Sequence, residues 1–142
     1  MSNIKEFDNI LIVGLGLIGG SIAKKIKEID YSANVYGFDE NLEILKKANS
    51  KGLVINDKEI DLKNSKNLLV IFCVPVLSFK KALNSVIKYL PSQNIIFTDT
   101  LSTKTQIFNT LSKEFNDILG NFVLSHPIAG SEKSSIYNSE KA

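Results

Sequence analysis

The stretch that most constrains the fold of this chain is an apolar run followed by spaced glycines near its amino terminus. Residues Ile10 to Val13 form a continuous apolar run, as expected of a parallel strand that is covered on both faces. Gly14, Gly16 and Gly19 then fit the spacing G-x-G-x-x-G. Apolar residues recur at helical spacing after this turn, at Ile18, Ile22, Ala23, Ile26 and Ile29. The sequence therefore predicts a strand, a tight glycine turn and a helix.

This turn is typical of dinucleotide-binding proteins. The first glycine permits the tight turn, the second lets a pyrophosphate approach the backbone, and the third lets the helix pack on the strand. The helix also directs unpaired N–H groups and the positive end of its dipole towards a phosphate. We predict that a dinucleotide contacts Gly14, Gly16, Leu17, Ile18 and Gly19. The alternative is a tight turn that binds no ligand.

An acidic residue stands where the ribose of such a ligand would need it. Residues 35–38 are predicted to form a second strand, and Asp39 follows it, twenty residues after Gly19. A carboxylate at this place accepts hydrogen bonds from the adenosine ribose hydroxyls in dinucleotide folds. The structural alternative is that Asp39 caps the helix predicted to begin at Glu40. Because turn, flanking elements and acid agree, we predict dinucleotide binding.

Strands and helices alternate along the rest of the chain. We predict helices over 40–50, 76–90 and 103–115, and strands over 68–74, 94–98 and 122–124. Residues 53–55 form a possible short strand, and Cys73 is expected to be a small buried hydrophobe within the strand 68–74. Such alternation predicts one α/β domain over residues 1–142, a Rossmann-type, doubly wound parallel sheet between two helical layers.

The composition of the chain limits which partners and cofactors are expected. The net charge of +2 gives no reason to expect nucleic acid or a membrane as a partner. All 17 basic residues are lysines, and arginine is the usual partner of a 2′-phosphate or a planar carboxylate, so NAD is expected rather than NADP. One Cys and one His argue against disulfides and a metal site. The amino terminus has no basic signal region, and the sequence predicts a cytoplasmic protein without a membrane span.

Four segments that follow predicted strands should meet at one edge of the sheet, where ligands of such folds bind. They are the glycine turn, residues 74–76, residues 98–104 and residues 125–132. Val74, Pro75 and Asp99 are therefore predicted to contact the cofactor. His126 is the one side chain of the chain that titrates near neutral pH, and its position at this edge favours a functional role over that of a structural loop histidine. Ser102 is either functional or the cap of the helix after it.

The motifs together resemble those of the prephenate dehydrogenase family, which includes the related arogenate dehydrogenases. The resemblance rests on the glycine stretch 14–21, on Thr98-Asp99 with residues 102–104, and above all on residues 125–133, Ser-His-Pro-Ile-Ala-Gly-Ser-Glu-Lys. It covers essentially the whole chain as a nucleotide-binding domain. The chain departs from the family pattern at Leu101 and Ser135, where small residues or glycine are common.

The resemblance implies oxidative decarboxylation of prephenate to 4-hydroxyphenylpyruvate in tyrosine biosynthesis, with hydride passing to NAD. By resemblance, His126 takes the proton of the ring hydroxyl, Ser102 hydrogen-bonds His126 and the substrate, and Glu132 belongs to the polar network that binds substrate. The family continues into a helical domain that forms a homodimer and supplies an arginine for the carboxylates. We therefore expect this chain to be part of a longer enzyme and to be inactive by itself. Arogenate dehydrogenase and a stand-alone NAD(H)-binding module remain the alternatives; a β-hydroxyacid dehydrogenase lacks its lysine motif here.

Overall fold

A computed structural model describes residues 7–29, 31–55, 62–101 and 103–123 of the chain. Strands and helices alternate along these residues, as the sequence predicts. The strands are β1 (Asn9–Val13), β2 (Asn34–Phe38), β3 (Leu68–Phe72), β4 (Ile95–Asp99) and β5 (Phe122–Val123), and the helices are α1 (Leu17–Glu28), α2 (Leu42–Ser50), α3 (Phe79–Val86) and α4 (Lys104–Glu114).

The five strands form one parallel sheet in the order β2-β1-β3-β4-β5. The chain moves from β1 outward to β2 and then returns across β1 to β3. The direction of winding therefore changes between β1 and β3, and a crevice forms at the carboxyl ends of these two strands.

Two apolar cores lie on opposite faces of the sheet, because alternate residues of a strand point to opposite sides. Leu11 and Val13 of β1 belong to the core that packs against α3 and α4, whereas Ile10 and Ile12 belong to the core that packs against α1 and α2. All five residues of β3 are buried, as expected of a central strand between two helical layers. The prediction of a doubly wound, three-layer α/β/α fold is confirmed.

Several element boundaries differ from the predicted ones, most clearly those of α2 and of the predicted helix 76–90. Helix α2 begins at Leu42, with Asn41 as its cap: the Asn41 side chain accepts hydrogen bonds from the N–H groups of Glu43 and Ile44 at 3.0 and 3.4 Å. The prediction that the helix begins at Glu40 is wrong, and Leu42 lies in the first turn with its side chain 67% exposed. The predicted helix 76–90 consists of α3 between two 3-10 turns, Val76–Ser78 and Ile87–Tyr89.

The possible strand 53–55 is reduced to one described bridge. Ile55 pairs in parallel with Tyr36 on the outer side of β2. Residues after Ile55 lie outside the described part of the chain until Leu62. The bridge lies at the position of a further edge strand next to β2, which is the place of the third strand in the Rossmann order.

Candidate dinucleotide site

The glycine turn after β1 has the conformation that its sequence predicts. Gly14 has a φ of +98°, which L side chains rarely adopt, and a Cβ atom there would lie 2.8 Å from the carbonyl oxygen of Cys73. A Cβ atom on Gly19 would lie 1.8 Å from the carbonyl oxygen of Gly14, because α1 packs directly on the turn. The first and third glycines are therefore required by the fold itself.

Gly16 differs from these two glycines. A Cβ atom on Gly16 would meet no other heavy atom within 4 Å, and the residue is exposed. Gly16 is also the N-cap of α1, where no side chain caps the helix and no acidic residue stands in the first turn. The first N–H groups of a helix have no partner within it, so this end of α1 offers donors and a positive dipole end to open space. A phosphate group fits that environment.

Leu17 and Ile18 form the first turn of α1. Their side chains are 89% and 49% exposed and do not line the cleft described below. What these two residues offer a ligand is their backbone N–H groups. Their predicted contacts with a cofactor stay a prediction.

Asp39 joins the end of β2 to the glycine turn. Its Oδ2 accepts a hydrogen bond from the N–H of Leu15 at 2.9 Å, and its Oδ1 accepts one from the N–H of Asn41 at 2.9 Å. The carboxylate therefore fixes the loop before α1 and the approach to α2, and Asn41 rather than Asp39 caps α2. Each carboxylate oxygen has a further lone pair, and Asp39 is half-buried at the cleft, so it can still accept from a ligand.

A cleft of ≈ 200 Å³ opens at the carboxyl ends of β1, β2 and β3, in the crevice that the winding of the sheet creates. One wall consists of the glycine turn and the end of β2, and the other consists of the residues after β3 and one face of α3. Its lining residues are Val13, Gly14, Gly16, Phe38, Asp39, Glu40, Cys73, Val74, Pro75, Ser78, Lys81, Ala82 and Ser85. Val74 and Pro75 thus lie at the cleft, as their position after a predicted strand indicates.

Cys73 lies just past the end of β3 rather than within the strand. It is partly buried and lines the cleft, which differs from the predicted place in the core of the strand. The pKa of the Cys73 thiol is raised to about 11, mainly because the thiol is buried. A hydrogen bond with Thr100 lowers this pKa and the nearby Asp99 charge raises it, and the value includes both effects. The side chain is therefore a neutral thiol at physiological pH, in agreement with its predicted role as a small apolar group.

Asp99, at the end of β4, is fully buried and is not among the residues that line the cleft. Its Oδ1 accepts hydrogen bonds from the Nζ of Lys104 and from the N–H of Leu101 at 2.9 Å. Lys104 also donates to the carbonyl oxygen of Leu101. These contacts hold the turn between β4 and α4. The contact of Asp99 with a cofactor stays a prediction.

The predicted catalytic residues lie outside the described part of the chain. This holds for Ser102, His126 and Glu132. The described residues do fix where their segments begin. Strands β4 and β5 are parallel neighbours, with Phe97 opposite Phe122 and Thr98 opposite Val123, so the chain leaves both strands at the edge that carries the cleft.

Two charged residues at the cleft were not identified from the sequence. Glu40 follows Asp39, and Lys81 lies on α3; their side chains form an ion pair with an Nζ to Oε2 distance of 3.3 Å. Both resemble ordinary solvent-exposed charges in the sequence. The sequence feature that could have identified Lys81 is the position of its helix: α3 follows the central strand β3 and begins at the edge of the sheet where ligands bind.

Two features are absent from the described residues. Among residues 7–29, 31–55, 62–101 and 103–123, no helix is long and apolar enough to cross a membrane. The same residues contain no group of three or more His, Cys, Asp or Glu side chains that could hold a metal ion.

Comparisons with known proteins agree with this architecture. Residues 22–142 match the family model described as "Prephenate dehydrogenase, nucleotide-binding domain". The chain is 31% identical over 127 residues to the prephenate dehydrogenase of Lactococcus lactis subsp. cremoris. The aligned residues are 89% of this chain and 36% of that protein.

Solved structures of a prephenate dehydrogenase and an arogenate dehydrogenase share the fold. The prephenate dehydrogenase of A. aeolicus, in complex with hydroxyphenyl propionate and NAD+, matches with a TM-score of 0.70 and 30% identity over 92% of this chain and 45% of that one. The arogenate dehydrogenase of Synechocystis matches with a TM-score of 0.67 and 28% identity over 88% of this chain and 42% of that one. The chain thus spans less than half the length of these relatives.

Proposed function

This chain belongs to the prephenate dehydrogenase family, and we propose that it is the NAD-binding domain of an enzyme that oxidatively decarboxylates prephenate to 4-hydroxyphenylpyruvate. The reaction belongs to tyrosine biosynthesis and releases CO₂ while NAD+ is reduced to NADH. We further propose that the domain spans residues 1–142 and that the whole enzyme is a cytoplasmic homodimer. Arogenate is the alternative substrate, since one of the similar structures is an arogenate dehydrogenase.

The observation that carries the proposal is the open space at Gly16. The turn is built from glycines, yet at the second glycine nothing in the described protein fills the place of a side chain, and the uncapped start of α1 faces the same space. The residues present therefore fit a pyrophosphate held by backbone N–H groups. Asp39, on the same cleft, would accept hydrogen bonds from the adenosine ribose, and Val74 and Pro75 would contact the cofactor from the opposite wall.

NAD supplies the hydride acceptor of the reaction, and the chain would supply the proton acceptor. Hydride leaves the ring carbon that bears the hydroxyl group, so positive charge develops there unless the O–H proton departs. In the proposal, a neutral His126 accepts that proton, Ser102 orients the imidazole, and Glu132 contributes to the polar network around the substrate. The support for this arrangement is that the segments of Ser102 and His126 follow two neighbouring parallel strands.

Titration with reduced cofactors tests the binding part of the proposal. Fluorescence of NADH and NADPH should report saturable binding of one NADH per chain and much weaker binding of NADPH. Equal or tighter binding of NADPH would contradict the assignment of Asp39. Absence of NADH binding would contradict the proposal as a whole.

The His126→Asn variant tests the catalytic part in a complete enzyme that carries this domain. We expect unchanged NADH affinity, a kcat lower by roughly 10²–10⁴, and loss of the acid limb of the pH profile, because a base with an unperturbed pKa near 6.5 has been removed. Assays with prephenate and arogenate side by side identify the substrate. A variant with nearly full kcat and an unchanged acid limb would make His126 a structural residue.

A further inference from the structure

The ion pair between Glu40 and Lys81 suggests how this site discriminates between cofactors. Glu40 immediately follows Asp39 at the end of β2, and Lys81 reaches it from α3 on the opposite wall, with 3.3 Å between Nζ and Oε2. Both residues line the cleft. The ion pair therefore connects the two walls next to the carboxylate that would bind the ribose.

Lys81 belongs to a defined face of α3. Ser78, Lys81, Ala82 and Ser85 recur at helical spacing and line the cleft, whereas Phe79, Leu83 and Val86 form the buried face of the same helix. The packing of Phe79 and Leu83 in the core thus fixes which way Lys81 points. Of the described residues that line the cleft, Lys81 is the one cation.

An NADP-binding site needs a cation close to the ribose 2′-phosphate, where an NAD-binding site needs a carboxylate. The chain has no arginine, so a lysine at this place is the residue that could meet that phosphate. In this structure the charge of Lys81 is balanced by Glu40. The pair is exposed, with 77% and 72% of the two side chains accessible, so it contributes little to stability and its effect is on the local field.

We propose that Glu40 is a specificity residue of the cofactor site, which acts by pairing Lys81 and so keeping this cation from accepting a 2′-phosphate. The inference rests on the proposed NAD-binding function. It adds that Asp39 alone does not determine the preference for NAD over NADP. A single substitution, Glu40→Gln, is expected to shift this preference towards NADP.

The test compares wild type, Glu40→Gln and the double variant Glu40→Gln/Lys81→Met by their binding of NADH and NADPH. Glu40→Gln should raise the affinity for NADPH relative to that for NADH about tenfold, as expected for one unit charge at roughly 6 Å from a doubly charged phosphate in water. The gain should shrink as the salt concentration rises. Adding Lys81→Met should remove it, so that the double variant binds NADPH about as weakly as the wild type does.

The chain offers a matched control. Lys80 and Glu114 form an ion pair at 2.8 Å between α3 and α4, away from the cleft-lining residues and with similar exposure of 54% and 45%. Glu114→Gln removes the same charge from the chain, and should leave the binding of both cofactors unchanged.

The outcomes separate this inference from the function on which it rests. If wild type and variants all fail to bind NADH, the proposed function is wrong and the inference falls with it. If NADH binds but Glu40→Gln gives no gain for NADPH, or the gain survives Lys81→Met, or Glu114→Gln gives the same gain, then NAD binding stands and the role of the Glu40–Lys81 pair is wrong.

Discussion

Replacing Gly16 by alanine should separate cofactor binding from folding. The added methyl group meets no heavy atom within 4 Å in the structure, and the φ of Gly16 is −69°, which alanine adopts readily. Alanine is a poorer N-cap than glycine, but it also lowers the entropy of the unfolded chain. These two effects oppose each other, so the free energy of unfolding should change by less than about 1 kcal/mol.

Binding should respond far more strongly. The methyl group would occupy the space through which a pyrophosphate approaches the backbone at the start of α1. If the displaced phosphate loses one charge-assisted hydrogen bond, worth about 1.5–3 kcal/mol, the affinity for NADH falls roughly 10- to 150-fold. NADH fluorescence gives the affinity, and thermal or urea unfolding gives the stability of the same sample.

Two comparisons make the result decisive. Gly120→Ala is the matched control, because a Cβ atom there also meets nothing within 4 Å and Gly120 lies in the 3-10 segment Asn116–Asn121, away from the cleft. It should preserve both stability and binding. Gly19→Ala should instead destabilise the fold by about 3 kcal/mol or more, since its methyl group would overlap the carbonyl oxygen of Gly14 at 1.8 Å. The reasoning is refuted if Gly16→Ala binds NADH as wild type does, or if it unfolds as readily as Gly19→Ala.

Three further changes test neighbouring parts of the account. Asp39→Asn removes the charge and keeps one of the two acceptors that hold the loop, so NADH binding should weaken about tenfold or more while NADPH binding does not. A constant ratio of the two affinities would count against the ribose contact. Asp99→Asn leaves Lys104 without its buried counter-ion and should lower the free energy of unfolding by about 3 kcal/mol. The control, Asp117→Asn at an exposed site, should change it very little. Equal costs would show that the Asp99–Lys104 ion pair is unimportant for stability. Cys73, the single cysteine, should react with iodoacetamide at pH 7 roughly 10- to 100-fold more slowly than an ordinary thiol, because a pKa of about 11 leaves little thiolate. An ordinary rate, followed by mass spectrometry, would contradict the burial.

The sequence predicts the order of elements and the glycine turn because both depend on local signals. The apolar run of β1, the glycine spacing and the helical periodicity of α1 lie within twenty consecutive residues. Strand β3 could be predicted equally well, because a strand that is buried on both faces requires an unbroken apolar run. The fold class follows from this alternation of strands and helices.

Features that depend on contacts between distant segments could not be predicted in this way. Lys81 looks like a solvent-exposed residue of an amphipathic helix, and only the packing of α3 against the sheet brings it to Glu40, 41 positions earlier in the chain. The hydrogen bond from the N–H of Leu15 to Asp39 likewise arises from the pairing of β1 with β2. The exposure of Leu42 depends on where Asn41 caps its helix, and helix ends are set by such single hydrogen bonds.

The central claim is that NAD binds over the glycine turn, and mapping the bound cofactor by NMR tests it most directly. A ¹⁵N-labelled chain of 15.7 kDa is small enough for amide spectra to be followed during a titration with NAD+. The largest amide shifts should occur at residues 14–18, 39–41, 73–74 and 76–78. The amides of Gln106, Asn109 and Thr110, which line a separate surface groove, should stay unchanged. Shifts centred on that second groove, or saturating NAD+ that leaves Gly16 and Asp39 unmoved, would contradict the central claim.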